Sequence, residues 1–131
     1  MIGPHNENEL ELMLSGDKRM ARFTVDLEHP ELAGDNGFAP YVAAGKIHKF
    51  VAKSEYGPPS ERRYYFLEGE EWRVKTSELV WQLMGSPALA HFTPEDLHRL
   101  DGWLLGYTQE DINDFIEQLN KRQPTTRVEK L

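Results

Sequence analysis

The sequence predicts an α+β fold: a small antiparallel sheet of about three to four strands packed against helices, with a C-terminal helical hairpin. Apolar and polar residues alternate over 20–26, and the runs 47–52 and 62–67 also favour extended structure. In the C-terminal third, apolar residues recur at helical spacing between capping residues. At 131 residues the chain fits one domain, which we expect over 1–123, followed by a flexible tail over 124–131.

Turn-forming residues divide the N-terminal half into these elements. Asn6 and Glu9 are spaced as a capping box for a first helix, and Gly16 is placed to end it. The two later strands flank the stretch 54–60, where two consecutive prolines cannot join a regular ladder. We therefore expect an antiparallel pair of strands joined by a long loop.

Two interpretations compete over residues 70–84. Trp72 and Val74 alternate with basic residues, which favours a further strand, and a helix capped by Thr76 or Ser77 would then follow. Alternatively, one helix covers the whole stretch. We prefer the strand followed by a helix, because tryptophan, valine and threonine suit a pleated surface.

The C-terminal third predicts two amphipathic helices joined by a short turn. Thr93 is placed to cap the first helix, with Pro94 at its first position, and Thr108 is placed to cap the second. Gly106 stops the first helix. Helices joined so closely should pack as an antiparallel or angled hairpin. The apolar stripes comprise Leu97, Leu100 and Leu104 in the first helix and Ile112, Phe115, Ile116 and Leu119 in the second.

Composition excludes several classes of protein. The chain contains no cysteine, which excludes a disulfide framework, a thiolate zinc or iron–sulfur site and a cysteine nucleophile. Residues 1–16 carry acids where a signal peptide has a basic head, and no apolar run approaches the roughly twenty residues that cross a bilayer. We expect a cytoplasmic protein that does not enter the membrane and that needs no cofactor.

The net charge of −7 is distributed unevenly along the chain. Residues 46–66 and residues 121–131 each carry a net charge of +3, so the remainder carries −13. An acidic body of this kind speeds association with a basic partner and opposes non-specific attraction to nucleic acid. The two basic segments are the exceptions.

Sequence motifs of catalysis and metal binding are missing. The chain has no phosphate-binding glycine loop, no zinc-protease motif, no EF-hand loop and no hydrolase elbow. His91, Glu95 and His98 come closest to a ligand cluster, but an iron site of the carboxylate-bundle type needs a second Glu-x-x-His pair. Glu110 and Asp111 match the dipole at a helix start. We therefore predict neither a metal site nor a catalytic residue.

The basic segment over 46–66 interleaves cations with aromatic rings. Single-stranded nucleic acid or another polyanion uses this mixture of charge and stacking. Alternatively, a two-stranded ribbon buries one aromatic face while its cations keep the edge soluble. The candidate polyanion-binding residues are Lys46, Lys49, Lys53, Arg62, Arg63 and Tyr64.

A second candidate surface lies at the turn between the last two helices. Trp103 precedes the buried-stripe residue Leu104 and therefore points about 100° away from that stripe. An exposed aromatic residue beside an acidic helix is a suitable anchor for a protein partner, but we prefer the interpretation in which the tryptophan packs under a neighbouring strand. The candidate partner-binding residues are Trp103, Tyr107, Glu110, Asp111 and Asp114.

These features predict a non-catalytic interaction protein, such as an inhibitor, an immunity protein or a regulatory adaptor. Its partner would be a protein with a basic surface, bound through the acidic helical portion. A nucleic-acid-associated protein that uses the basic segment is the second hypothesis. The third is a small enzyme that works through His91, His98 or nearby acids.

Overall fold

The computed structural model describes residues 8–54 and 57–122. Within them the chain forms five α-helices and one sheet of three antiparallel strands, which confirms the predicted α+β class. No helix of this part is long and apolar enough to cross a membrane. The strands are β1 (Met20–Asp26), β2 (His48–Lys53) and β3 (Ser60–Phe66), and the helices are α1 (Glu9–Ser15), α2 (Ala39–Ala43), α3 (Glu71–Leu83), α4 (Pro94–Leu104) and α5 (Gln109–Arg122). Two short 3₁₀ helices, Pro30–Leu32 and Pro87–Leu89, join them.

The sheet has the strand order β1-β3-β2, so the strand that comes last in the chain lies in the middle. Both neighbours pair with it antiparallel, and Tyr65 of β3 lies between Ala21 of β1 and Lys49 of β2. The predicted antiparallel pair with its intervening loop is confirmed by β2 and β3. Both outer strands leave one edge without a neighbouring strand among the described residues.

The sheet separates two hydrophobic cores, because successive side chains of a strand point to opposite faces. The first face carries Ala21 and Tyr65, and side chains of α1 and of the α2 region cover it. The second face carries Met20 and Tyr64, and α3 and α4 cover it. The first core contains Met13, Ala21, Phe38, Ile47 and Tyr65, and the second contains Met20, Tyr64, Phe66, Val74 and Leu104.

The preferred interpretation of residues 70–84 is wrong: the structure has a single helix, α3, and no strand over Trp72–Thr76. In a strand Trp72 and Val74 would share one face, whereas in a helix they point about 160° apart. Val74 is buried in the second core, while Trp72 is 43% exposed. Burial of Val74 and Ser77 against the sheet therefore outweighs the β-propensity of the individual residues.

The C-terminal helical hairpin is confirmed, and local capping explains its bounds. The Thr93 side chain accepts a hydrogen bond from the Asp96 amide, and the Asp96 carboxylate accepts one from the Thr93 amide. Thr108 accepts from the Asp111 amide at 3.1 Å and so caps α5. The predicted Asn6 cap and the tail over 124–131 lie outside the described residues.

Candidate functional site

A groove of about 250 Å³ opens between α4 and α5 on the helical hairpin. Its apolar part comes from residues of both helices and of the turn that joins them. Carboxylates, a phenol and an imidazole stand among these apolar groups, so the groove offers both burial and charge. The lining residues are His98, Asp101, Gly102, Leu105, Tyr107, Asp111, Ile112 and Phe115.

Gly102 allows α4 and α5 to approach closely beside this groove. A Cβ atom at this position would lie 2.7 Å from Cγ1 of Ile112, which is closer than packed carbon atoms approach. Ile112 is itself buried, at 5% exposure, so it has little freedom to move aside. The missing side chain of Gly102 therefore sets the separation of the two helices and with it the width of the groove.

An ion pair attaches the hairpin to the sheet. Arg22 on the second face of β1 donates to both carboxylate oxygens of Asp101, at 2.5 and 2.7 Å, and to the Ser77 hydroxyl at 3.2 Å. This bidentate geometry fixes the orientation of α4 as well as its position. The alternation in the sequence placed Arg22 on the wet side of β1, and only the helices packed on that side show that it is a structural residue.

Lys18 contacts the turn that joins α4 to α5. Its side chain is buried, its ammonium donates to the carbonyl of Leu105, and its Nζ lies 5.1 Å from the centre of the Tyr107 ring. Burial lowers the pKa of Lys18 to about 8, an effect that the charge of nearby Glu9 opposes. No feature of the sequence distinguishes Lys18 from a surface lysine.

The structure divides the predicted partner-binding residues between two neighbouring places. Tyr107 and Asp111 line the groove, with Glu110 exposed beside Asp111 on the first turn of α5 and Asp114 half-buried one turn further on. Trp103 lies outside the groove lining. The preferred interpretation, a tryptophan packed under a strand, is wrong: Trp103 is on the surface, where it is 54% exposed.

Trp103 belongs to an exposed aromatic cluster that it forms with α3. Its ring centre lies 5.6 Å from that of Trp72, and the Arg73 guanidinium lies 4.6 Å from the Trp72 ring and 5.4 Å from the Trp103 ring. Arg73 also donates to the carbonyl of Leu104 at 3.1 Å, which satisfies part of the C-terminal end of α4. The Trp72 partner was missed from the sequence because a strand was preferred there.

The helical hairpin has a strongly negative net charge. Residues 93–120 contain seven carboxylates and a single arginine, a net charge of −6 against −7 for the whole chain. Asp101 is neutralised by Arg22, and Glu117 pairs with Lys121 at 3.3 Å. With Arg22 and Lys121 counted, the hairpin keeps a net charge of −4, which favours the approach of a basic partner.

The predicted polyanion-binding residues do not form one surface. Lys46, Lys49 and Lys53 are exposed, and within residues 8–54 and 57–122 none of the three forms an ion pair. The side chains of Arg62 and Arg63 are instead paired with carboxylates, and Tyr64 is fully buried. The nucleic-acid hypothesis therefore stays a prediction that rests on the three lysines.

Arg62 and Tyr64 form a polar network between β3 and α3. Arg62 donates to both carboxylate oxygens of Glu78, at 2.7 and 2.9 Å, and the Tyr64 hydroxyl donates to the same carboxylate at 2.5 Å. The hydrogen bond from Arg62 lowers the pKa of Glu78, although burial opposes this shift. Burial and the Glu78 carboxylate raise the pKa of Tyr64 to about 12.

His91 and His98, the histidines of the third hypothesis, line different surface hollows. His98 lines the groove and packs edge-on against Phe115 at 5.1 Å, whereas His91 lines a separate surface hollow with Phe92. In the described part of the chain no group of three histidine or carboxylate side chains is arranged to hold a metal ion. The catalytic hypothesis gains no assembled set of groups from this placement.

No protein-family profile, curated protein or solved structure matches this chain. Its function is therefore argued from the shape, charge and chemistry of its own residues. Among its surfaces, the groove of the helical hairpin brings together the largest share of the residues singled out from the sequence.

Proposed function

We propose that this chain is a non-catalytic interaction protein that binds a basic segment of a protein partner in the groove between α4 and α5. The groove is the observation that carries the proposal, because it joins an apolar lining to acidic groups in the most negative part of the chain. Inhibitors, immunity proteins and regulatory adaptors use such surfaces to bind basic targets. The absence of cysteine fits a cytoplasmic place of action.

The chemistry of the groove defines the segment that would fit it. Leu105, Ile112 and Phe115 offer apolar contacts, so the segment needs at least one apolar side chain to gain from burial. Asp111 and Tyr107 offer oxygen acceptors beside them. A lysine or arginine flanked by apolar residues satisfies both conditions, because its alkyl stem packs while its charged head reaches the carboxylate.

The exposed pair of Trp72 and Trp103 offers a second contact surface near the end of α4. Tryptophan and arginine are enriched among residues that dominate binding energy, and this cluster contains both. It is attached to the carboxyl end of α4, the helix that also forms one wall of the groove. At 100° per residue Trp103 lies roughly 100–160° around α4 from the groove-lining residues, so the tryptophans form a separate contact surface.

A capture experiment with two matched variants tests the proposal. Glu110→Lys with Asp111→Lys reverses charge at the groove, and Glu28→Lys with Glu31→Lys makes the same change in net charge on the loop after β1. The unmodified protein and the loop variant should retain the same basic partner from native cell extract at low salt and release it at high salt. The groove variant should retain at least about tenfold less of it.

Other results of the same experiment would contradict the proposal. Capture of no protein by the unmodified chain, or equal capture by the groove variant, contradicts the proposal. Retention that is insensitive to salt contradicts its electrostatic part. Binding of the purified partner to all three proteins then gives the dissociation constants directly.

A further inference from the structure

The open edge of β2 presents hydrogen-bonding groups to solvent. The amide of Ser54 donates to the carbonyl of Ser60 at 3.0 Å, and this pair continues the register in which His48 lies opposite Phe66. Ladder hydrogen bonds of an antiparallel pair involve every second residue, so the even-numbered residues of β2 bond to β3. The amide and carbonyl groups of 49, 51 and 53 therefore point away from the sheet.

A second groove runs beside this edge, between β2 and α3, with a volume of about 420 Å³. Phe50 of β2 and Leu79 of α3 stand on its two sides and are 46% and 51% exposed. A strand added next to β2 would lie about 4.8 Å away, with every second side chain directed to the face that α3 covers. The lining residues are Phe50, Phe66, Glu71, Val74, Lys75, Glu78, Leu79 and Gln82.

The face of β2 that points away from this groove carries positive charge. Lys49 and Lys53 alternate with Phe50 and so lie on the first face, where both are exposed. The Nζ atom of Lys49 lies 5.7 Å from the centre of the Tyr65 ring. In the part of the chain that the structure describes, neither lysine has a carboxylate partner. An added strand with acidic residues opposite these two positions would supply one.

We propose that the edge of β2 binds an extended segment of a partner protein in which apolar and acidic residues alternate. The backbone of the segment pairs with residues 49, 51 and 53. Its apolar side chains enter the groove against Phe50 and Leu79, and its carboxylates face Lys49 and Lys53. Backbone pairing supplies affinity and the alternate side chains supply specificity, as in other complexes formed by strand addition.

A second copy of this chain fits the edge less well than an acidic segment. Antiparallel pairing of two β2 strands about Val51 sets Lys49 of one copy opposite Lys53 of the other. Like charges directly opposite each other destabilise a strand pair, and edge lysines protect sheets from pairing with themselves. The same lysines favour a strand of opposite charge.

This surface is distinct from the groove of the helical hairpin, so a result that contradicts one proposal does not contradict the other. The probe is a short synthetic peptide that alternates valine with glutamate, and its binding is measured by fluorescence anisotropy and by amide chemical shifts. We expect saturable binding with shifts concentrated over 49–53. A peptide that alternates valine with lysine should bind at least about tenfold more weakly, because its charges face two lysines.

Two changes separate strand addition from simple attraction of charge. Val51→Pro removes an outward-pointing amide that the ladder with β3 does not use, and it should weaken binding of the glutamate peptide by at least about tenfold. Lys49→Glu with Lys53→Glu should exchange the preference between the two peptides. Methylation of alternate amides of the glutamate peptide removes its donors and tests the same pairing on the unmodified protein.

Three outcomes would overturn the proposal. They are absence of binding by the glutamate peptide, equal binding by its methylated form, and tighter binding of a thymidine oligonucleotide than of the peptide at the same salt concentration. The last outcome would instead support the hypothesis that the lysines of β2 bind nucleic acid. Retained circular dichroism of each variant excludes unfolding as the cause of a loss.

Discussion

Tyr64 and Tyr65 are consecutive residues of β3, yet they anchor two differently built halves of the molecule. Tyr65 enters the first core, where its ring lies 4.3 Å from that of Phe38 and its hydroxyl donates to Asp35 at 2.5 Å. Tyr64 enters the second core, where its hydroxyl meets Ser77 and Glu78. Each half pairs an arginine and a tyrosine of β3 with one carboxylate, Asp35 in the first half and Glu78 in the second. The first half adds a cluster of packed rings to this network, and the second half adds the ion pair of Arg22 with Asp101.

The difference follows from the helices that cover each face. The helices α1 and α2 are short, with seven and five residues, and helices of this length are not stable by themselves. Their positions depend on the rings of Phe23, Phe38 and Tyr65, which contact one another edge-on or tilted. The longer helices on the second face are oriented by the arginine–carboxylate pairs of Arg22 and Arg62.

The largest effect should come from breaking the ring cluster. Phe38→Ala removes a side chain that is 2% exposed, and it should lower the free energy of unfolding by about 4 kcal/mol at any pH. The same substitution at Phe92, which is 53% exposed, should cost less than about 1 kcal/mol. Urea unfolding measures both. Equal losses at the two positions would mean that the first core is not held by its rings.

Breaking the polar network should give a somewhat smaller and pH-dependent effect. Glu78→Ala removes the carboxylate that accepts from Arg62 and from the Tyr64 hydroxyl, leaves them the neutral hydroxyls of Ser54 and Ser77, and should cost about 3 kcal/mol at neutral pH. The pKa of Glu78 is lowered by Arg62, so its contribution is present above the ordinary value of 4.5 and is lost as the pH falls through the folded-state pKa. The gap to the unmodified protein should therefore narrow in acid.

The control for this substitution is Glu68→Ala. Glu68 accepts a hydrogen bond from His48, but its side chain is 88% exposed, so its removal should cost less than about 1 kcal/mol. A gap between Glu78→Ala and the unmodified protein that stays constant down to low pH would show that the carboxylate charge does not stabilise the second half.

The last effect sharpens the comparison through Lys18, a buried lysine that donates to the turn between α4 and α5. Its folded-state pKa of about 8 lies below the ordinary 10.5, so the unfolded chain binds the proton more tightly between these values. Stability should therefore rise with pH across this window, by up to about 1.4 kcal/mol per pH unit. Lys18→Met should remove that rise, and Lys46→Met, at an exposed lysine, should keep it. The same slope in both variants would exclude Lys18 as its source.

Local patterns in the sequence were sufficient for the elements whose signals are local. The alternation from Met20 to Asp26 coincides with β1, and the Thr93 and Thr108 caps mark the starts of α4 and α5. These signals depend on residues within one turn or one strand of each other, so the chain carries them without its fold. Helix geometry separates Trp103 from the buried Leu104 by about 100°, but only the packing of α4 in the folded chain shows that Trp103 is exposed.

Contacts between distant residues decided the rest. Residues 70–84 contain side chains that favour a strand, yet they form a helix that covers the second face of the three-stranded sheet. Burial of that face against a helix therefore outweighs the local preference. Arg22 and Asp101 are separated by seventy-nine positions, and Arg62 and Glu78 by sixteen, so nothing local indicates that each cation is held within the molecule. The predicted basic surface was reduced to its lysines for this reason.

The amino-acid sequence by itself determined the fold class, the hairpin and the acidic character of the helices that form it. These properties depend on composition, on periodicity and on residues that cap their own helix. Only the tertiary structure decided which charges remain on the surface, where the two grooves open and which strand edges have no neighbouring strand among the described residues. Those properties depend on which distant side chains come into contact, and a one-dimensional pattern does not contain that information.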